Sequence, residues 1–174
     1  MGTGPTRSPK RGDGVGYSGY KPQQGENVIA LTDNQGHVFA PVPVAPVTET
    51  ARLLVPEGLK ALKKMAQAVG GDLQGASRHL DGGFESTHNR TCLFHAGLIP
   101  NIQENPRNRW RPQRGRQRFF NAAIQALRLC VERTFAWEDQ GKRLLLRFER
   151  LQQRHSGRKL MAYTLINLRA FCGA

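Results

Sequence analysis

Between Asn105 and Arg118 an arginine stands at almost every second position: Arg107, Arg109, Arg111, Arg114, Arg116 and Arg118. Pro106, Pro112 and Gly115 interrupt the run and prevent a regular helix, so the segment is read as extended. This stretch constrains the fold most, because helical and strand patterns must be arranged on either side of a basic segment that belongs to neither. Six guanidinium groups in extended backbone, interleaved with Asn105, Asn108, Trp110 and Gln113, suit phosphate contact with stacking from Trp110. A merely solvated charge run is the plainer alternative, and nucleic-acid contact is favoured over it.

The rest of the composition agrees with that preference. Lys and Arg number 26 against 13 Asp and Glu, a formal net charge of +13. Such an excess calls for a polyanionic partner, and nucleic acid is the usual one. A membrane surface is the other candidate; no apolar run approaches the roughly 18 residues a span requires. Residues 1–12 are basic and rich in Gly and Pro, unlike a secretory signal. Cys92, Cys130 and Cys172 are odd in number and far apart, which suggests reduced thiols in a cytoplasm.

Upstream of the arginine segment, residues 1–25 carry turn signals at Gly12-Asp13-Gly14 and Ser18-Gly19 and are expected to form a loop. A hairpin follows, with Asn27–Leu31 and His37–Val44 as strands about a turn at Asp33–Gly36. Pro41, Pro43 and Pro46 should end its second strand early or hold it at an edge. Helical spacing then runs from Thr48 to Val69, through Leu53, Leu59, Leu62, Met65 and Val69, with Pro56 in the first turn and Gly70-Gly71 as the stop. Ser77–Asp81 is a short strand, Ser86 or Thr87 caps a helix ending at Gly97, and Leu98–Ile102 is another strand. Downstream, Phe120, Ile124, Leu127 and Val131 form one apolar stripe running on to Phe135. Residues 142–154 and 158–172 read as two more basic amphipathic helices, the last with Met161, Leu165, Leu168 and Cys172 on one side. The order is an α/β pattern in which a hairpin precedes alternating elements.

Two acidic residues stand out in so basic a chain. Asp81 ends a strand at a Gly-Gly turn, the kind of place where open α/β sheets bind ligands. Glu132 lies on a later helix, with Arg128 four residues before it on the same face. Taken singly, the first is an ordinary turn and the second an ordinary surface ion pair. Taken together they are the kind of carboxylate pair that phosphoryl transfer by hard metal ions requires. Cys92-x-x-His95 has no second pair of ligands, so a helix cysteine is preferred to a zinc site.

The stretch from Leu80-Asp81-Gly82-Gly83-Phe84 through Asn101-Ile102, then Arg116 to Phe135 and the final helix, resembles the bacterial insertion-sequence DDE transposases. In the branch concerned, the second catalytic aspartate ends a strand and is followed by a small residue and an aromatic, as Asp81 and Phe84 are. The catalytic glutamate stands in Val-Glu-Arg-x-Phe, matched by Val131-Glu132-Arg133-Thr134-Phe135, with an arginine four residues earlier at Arg128. That branch also has a tyrosine seven residues before the glutamate and a lysine seven after it; here Gln125 and Asp139 occupy those positions.

The resemblance implies a ribonuclease H-like α/β catalytic domain over residues 26–174, incomplete because its first, central strand and first catalytic aspartate have no counterpart here. It implies Asp81 and Glu132 as catalytic, metal-holding residues, with Mg²⁺ or Mn²⁺ as cofactor and two ions in the intact family site. Arg107, Arg109, Arg111, Arg114, Arg116, Arg118, Arg128, Arg133 and Lys142 would contact DNA. The partner would be double-stranded DNA, both element ends and target, with self-association as a further expectation and no membrane. The location would be the bacterial cytoplasm. The expected activity is metal-dependent DNA cleavage and strand transfer in transposition, lost in this chain alone. The competing reading is a non-catalytic DNA-binding remnant or inhibitor, and a basic RNA-binding protein ranks third, lacking any recognisable RNA-binding module.

Overall fold

Val28, Ile29, Ala30 and Leu31 are buried without interruption, so this strand is covered on both faces rather than alternating between core and water. It belongs to β3 (Gln23–Thr32), the spine of a five-stranded antiparallel sheet. In this computed structural model the described residues are 2–8, 12–19, 23–39, 44–46, 48, 51–104 and 118–173. β1 (Gly2–Arg7) pairs along one edge of β3, from Gly2 opposite Ala30 to Arg7 opposite Gly25. β2 (Gly16–Ser18) and β5 (Val44–Pro46) pair along the other edge. β4 (Val38–Phe39) returns against Leu31 and Thr32.

The expected loop over residues 1–25 is therefore corrected, since it contains β1 and β2. Glycine and threonine give β1 no apolar alternation to read, and its strand character comes from hydrogen bonding to β3. Pro5 is tolerated because β1 lies at a sheet edge, where a missing N–H interrupts no central ladder. The hairpin turn is where it was expected. One carboxylate oxygen of Asp33 accepts from the backbone N–H groups of Gln35, Gly36 and His37 at 2.9, 2.8 and 2.8 Å. Gly36 takes φ +98°, which a side chain would strain, and a Cβ there would lie 2.9 Å from the Arg133 guanidinium. The second strand is seen as β4 and β5, both paired with β3; Pro41 and Pro43 lie outside the described residues, and Pro46 pairs at the edge opposite Glu26.

A second, two-stranded sheet pairs β6 (Ser77–Leu80) in parallel with β7 (Ile99–Ile102). The crossover between them is α2 (Thr87–His95), capped by the Ser86 hydroxyl, which accepts from the Asn89 N–H at 3.1 Å. Before β6 comes α1 (Val55–Ala68), with Pro56 in its first turn as expected. Leu59, Leu62 and Ala66 point into the core beside Ile29, Leu80 and Ile102, whereas Leu53 and Val69 are exposed. The architecture is thus mixed α/β with two small sheets, and among the described residues β6 pairs only with β7.

The C-terminal helices depart further from expectation. The single stripe through Phe120, Ile124, Leu127 and Val131 is broken into α3 (Ala122–Ala126) and α4 (Leu129–Asp139) by a turn at Leu127-Arg128. The helices expected at 142–154 and 158–172 are instead a single turn, α5 (Lys142–Leu145), and one long helix, α6 (Gln152–Cys172). Residues 146–151 are non-helical because Arg147, wholly buried, is pulled into the sheet. Its Nη1 meets Glu26 of β3 at 2.6 Å, and its backbone N–H donates to the Arg7 carbonyl at 2.8 Å. Gly157 sits within α6 and does not end it, since a glycine there costs only about 1 kcal/mol against alanine. The face of α6 that is buried is also not the apolar one. His155, Lys159 and Tyr163 are buried, while Met161, Leu165, Leu168 and Cys172 are exposed. Among the described residues no helix is long and apolar enough to cross a membrane.

Candidate functional site

Asp81 follows the last residue of β6 and caps a short 3₁₀ turn, its Oδ1 accepting from the Gly82 N–H at 2.8 Å. The parallel β6–β7 pair fixes this strand end, and the Gly82-Gly83 turn keeps its surroundings open. Glu132 stands in the first turn of α4. Arg128, at the turn between α3 and α4, joins the two. Its Nη1 lies 3.4 Å from Asp81 Oδ1 and its Nη2 2.8 Å from Glu132 Oε1. The side chains are 58% exposed at Asp81, 51% at Glu132 and 42% at Arg128. At such exposure the pairing adds at most about 1 kcal/mol to stability. Its importance is positional: residues from two distant parts of the chain share one guanidinium, facing solvent.

Asn101 anchors the helical side of this arrangement. It is buried on β7, and its amide clamps the backbone of Asn121, with Oδ1 accepting from the Asn121 N–H at 2.7 Å and Nδ2 donating to the Asn121 carbonyl at 2.9 Å. Asn121 in turn caps α3, accepting from Ala123 N–H at 2.9 Å. Gln125 Nε2 donates to Gln103 Oε1 at 3.0 Å, a second tie between α3 and the end of β7. The sequence reading named Asn101 within the resemblance but gave it no role, and it passed over Gln103. The available signal was a polar residue inside the short apolar strand Ile99–Ile102, which must find partners when buried. Beside Asp81, His79 faces inward with Nδ1 2.9 Å from the Asn101 carbonyl oxygen, and burial lowers its pKa.

The basic residues expected to contact DNA fare differently. Arg118 pairs with Glu85, which also holds Arg90 at 2.6 Å, and lies 3.9 Å from Glu104. Arg133 donates to the Gln35 carbonyl at 2.7 Å and so braces the Asp33 turn. Lys142 begins α5, and its side chain lies outside the described residues, as do Arg107, Arg109, Arg111, Arg114 and Arg116.

For a metal ion, the chemistry of the donors is suitable. Asp81 and Glu132 offer hard carboxylate oxygens, and Mg²⁺ is commonly held by one or two carboxylates completed by water and substrate phosphate. Among the described residues no group of three or more His, Cys, Asp or Glu is placed so that it could hold a metal ion. His88 and Cys92 lie 3.5 Å apart on α2 without further ligands.

The chain matches no protein-family model, and no curated protein or solved structure matches it.

Proposed function

We propose that this chain is the DNA-handling part of a DDE-type, insertion-sequence transposase domain that binds double-stranded DNA and does not cut it unaided. The observation supporting this most is the convergence of Asp81 and Glu132 on Arg128. In this reading the two carboxylates would hold Mg²⁺ or Mn²⁺, which when bound polarises a phosphoryl oxygen and favours in-line displacement. Arg128 offsets one of the two carboxylate charges in the free protein and would turn its fork to a DNA phosphate in the complex, since guanidinium matches phosphate geometry. Asn101 and Asn121 hold α3, and with it the turn bearing Arg128, against the end of β7. The ribonuclease H-like fold belongs to the same proposal, as does a bacterial cytoplasmic setting.

That the chain does not cut alone is part of this proposal, because Arg128 joins two carboxylates where the family site would hold three. The test combines a plasmid-nicking assay in Mg²⁺ or Mn²⁺ with duplex binding followed by fluorescence anisotropy. No nicking is expected, together with duplex affinity that falls roughly 10³-fold between about 50 and 200 mM salt, as for six phosphate contacts. Binding that is absent or indifferent to salt would refute the DNA reading. Nicking that disappears in both Asp81→Ala and Glu132→Ala would keep the site assignment and overturn the claim that the chain cannot cut alone.

A further inference from the structure

Met161, Leu165, Leu168 and Cys172 follow one another along α6 at intervals of four, three and four residues, the alternation of a two-helix seam. His155, Lys159 and Tyr163 occupy the opposite, buried face, so the stripe points directly away from the protein. Met161 is 68%, Leu165 62% and Leu168 51% exposed, and Phe171 beside them is 73% exposed. Together they present on the order of 400 Å² of apolar surface, the size that marks an interaction site. In a chain of net charge +13, residues 160–168 carry no charged side chain, which makes this face a poor match for a polyanion. The cations of the same face stand at its other end: Arg154 lies seven residues before Met161, and Arg158 seven before Leu165. The stripe itself runs to the C-terminal end of α6, the negative pole of the helix, which closes at Gly173. This arrangement is self-complementary in one direction. Antiparallel packing of two copies sets Leu165 against Leu168 of the second copy and Met161 against its Cys172, while Arg154 and Arg158 fall beyond its negative pole. Parallel packing would set each of these arginines against its own counterpart, which is unfavourable. A lipid surface fits less well, because membrane-surface helices flank the apolar stripe with Lys and Arg. Here the flanking Ala162 and Thr164 are uncharged, and Arg169 lies over the Trp137 ring, 5.5 Å from its centroid.

We infer that α6 forms the interface of a symmetric dimer of this chain, its Met161–Cys172 stripe packed antiparallel on the same stripe of a second copy. A two-fold axis between Leu165 and Leu168 generates both halves of the contact from one patch. The pair would bury on the order of 1,000 Å², the lower bound for a specific interface, so association is reversible, with a Kd on the order of 10 μM. This inference is independent of the DNA reading.

The test is sedimentation velocity over a concentration series, on the wild-type chain and on Leu165→Glu and Leu168→Glu. The wild type should pass from monomer to dimer as concentration rises. Either substitution should weaken dimerisation at least roughly tenfold, because the two-fold axis buries the new charge twice among apolar groups. Both leucines are exposed in the single chain, so neither change should unfold it, which circular dichroism checks. Orientation is read by disulfide trapping with diamide, in a chain whose Cys92 and Cys130 are replaced by serine. Met161→Cys should trap a covalent dimer with the native Cys172. Cys172 alone should not, because antiparallel packing keeps the two Cys172 residues roughly 16 Å apart along the helix axis. A wild type that stays monomeric, a dimer that survives both leucine substitutions, or trapping through Cys172 alone would overturn the proposal. So would binding of a monomeric wild type to phosphatidylglycerol vesicles that Leu165→Glu abolishes, which would give the face to a lipid surface.

Discussion

Arg128 is the residue on which the account of the site turns, and its energetics are distinctive because they are small. It bridges Asp81 and Glu132 at the surface, where screening by water leaves each pair little net worth. Arg128→Ala should therefore change unfolding free energy in urea by no more than about 1 kcal/mol. It should nonetheless reduce the logarithmic salt dependence of duplex binding by about one, the signature of one lost phosphate contact. A large loss of stability with an unchanged salt slope would instead mark Arg128 as a structural tie. The contrast with Arg147 is instructive. That side chain is fully buried against Glu26, so its position is determined by folding and its charge is unavailable to any ligand.

At the scale of elements, the site depends on how the helices are fastened to the two-stranded sheet. Asn101 fixes the start of α3 through two hydrogen bonds to one residue. Asn101→Ala should cost about 1–3 kcal/mol, because both backbone groups of Asn121 lose their partner. Amide exchange should then accelerate in α3 and α4 and stay slow in β6 and β7; uniform acceleration would contradict a local role. The elements around this contact were legible in the sequence for identifiable reasons. Asp33-x-x-Gly36 carries its turn chemistry locally, Pro56 and Ser86 mark helix starts, and Gly-Gly after Asp81 marks the strand end. β1 was not legible, because a Gly- and Thr-bearing edge strand owes its form to β3 and not to its own pattern. The break at 146–151 was hidden for a related reason: the sequence does not say that Arg147 is buried. Likewise, helical spacing found the apolar stripe of α6 but not which side faces the protein. Glu138 decides that, receiving Lys159 and the Tyr163 hydroxyl, each at 2.6 Å.

Across the whole molecule, a buried set of ionic contacts joins the five-stranded sheet to the C-terminal helices. Glu26 meets Arg147 at 2.6 Å and His155 at 3.2 Å; His155 also lies 3.4 Å from Glu149, which pairs with Arg158. Burial alone would raise the pKa of Glu26, but its close neighbours His155, Lys159 and Arg147 outweigh it and hold the carboxyl below its ordinary value of 4.5. A depressed carboxylate stabilises the fold above its unfolded pKa, and that contribution is lost as pH falls through the folded one. Glu26→Gln should accordingly cost about 3–5 kcal/mol near neutrality by leaving Arg147 buried and uncompensated. The gap between wild type and variant should narrow once the pH drops below 4.5, as followed by urea unfolding across a pH series. A gap independent of pH would mean that Glu26 acts through shape and not charge. The candidate site was legible at this scale only as two separated acids and a family resemblance. Their meeting at one arginine required the fold. The most direct test of that meeting is electron paramagnetic resonance of Mn²⁺ titrated into the chain, with and without a DNA duplex. The account predicts one bound Mn²⁺ in the wild type, held more tightly with DNA present, and its loss in both Asp81→Asn and Glu132→Gln. Mn²⁺ binding that is the same in all three proteins would contradict it.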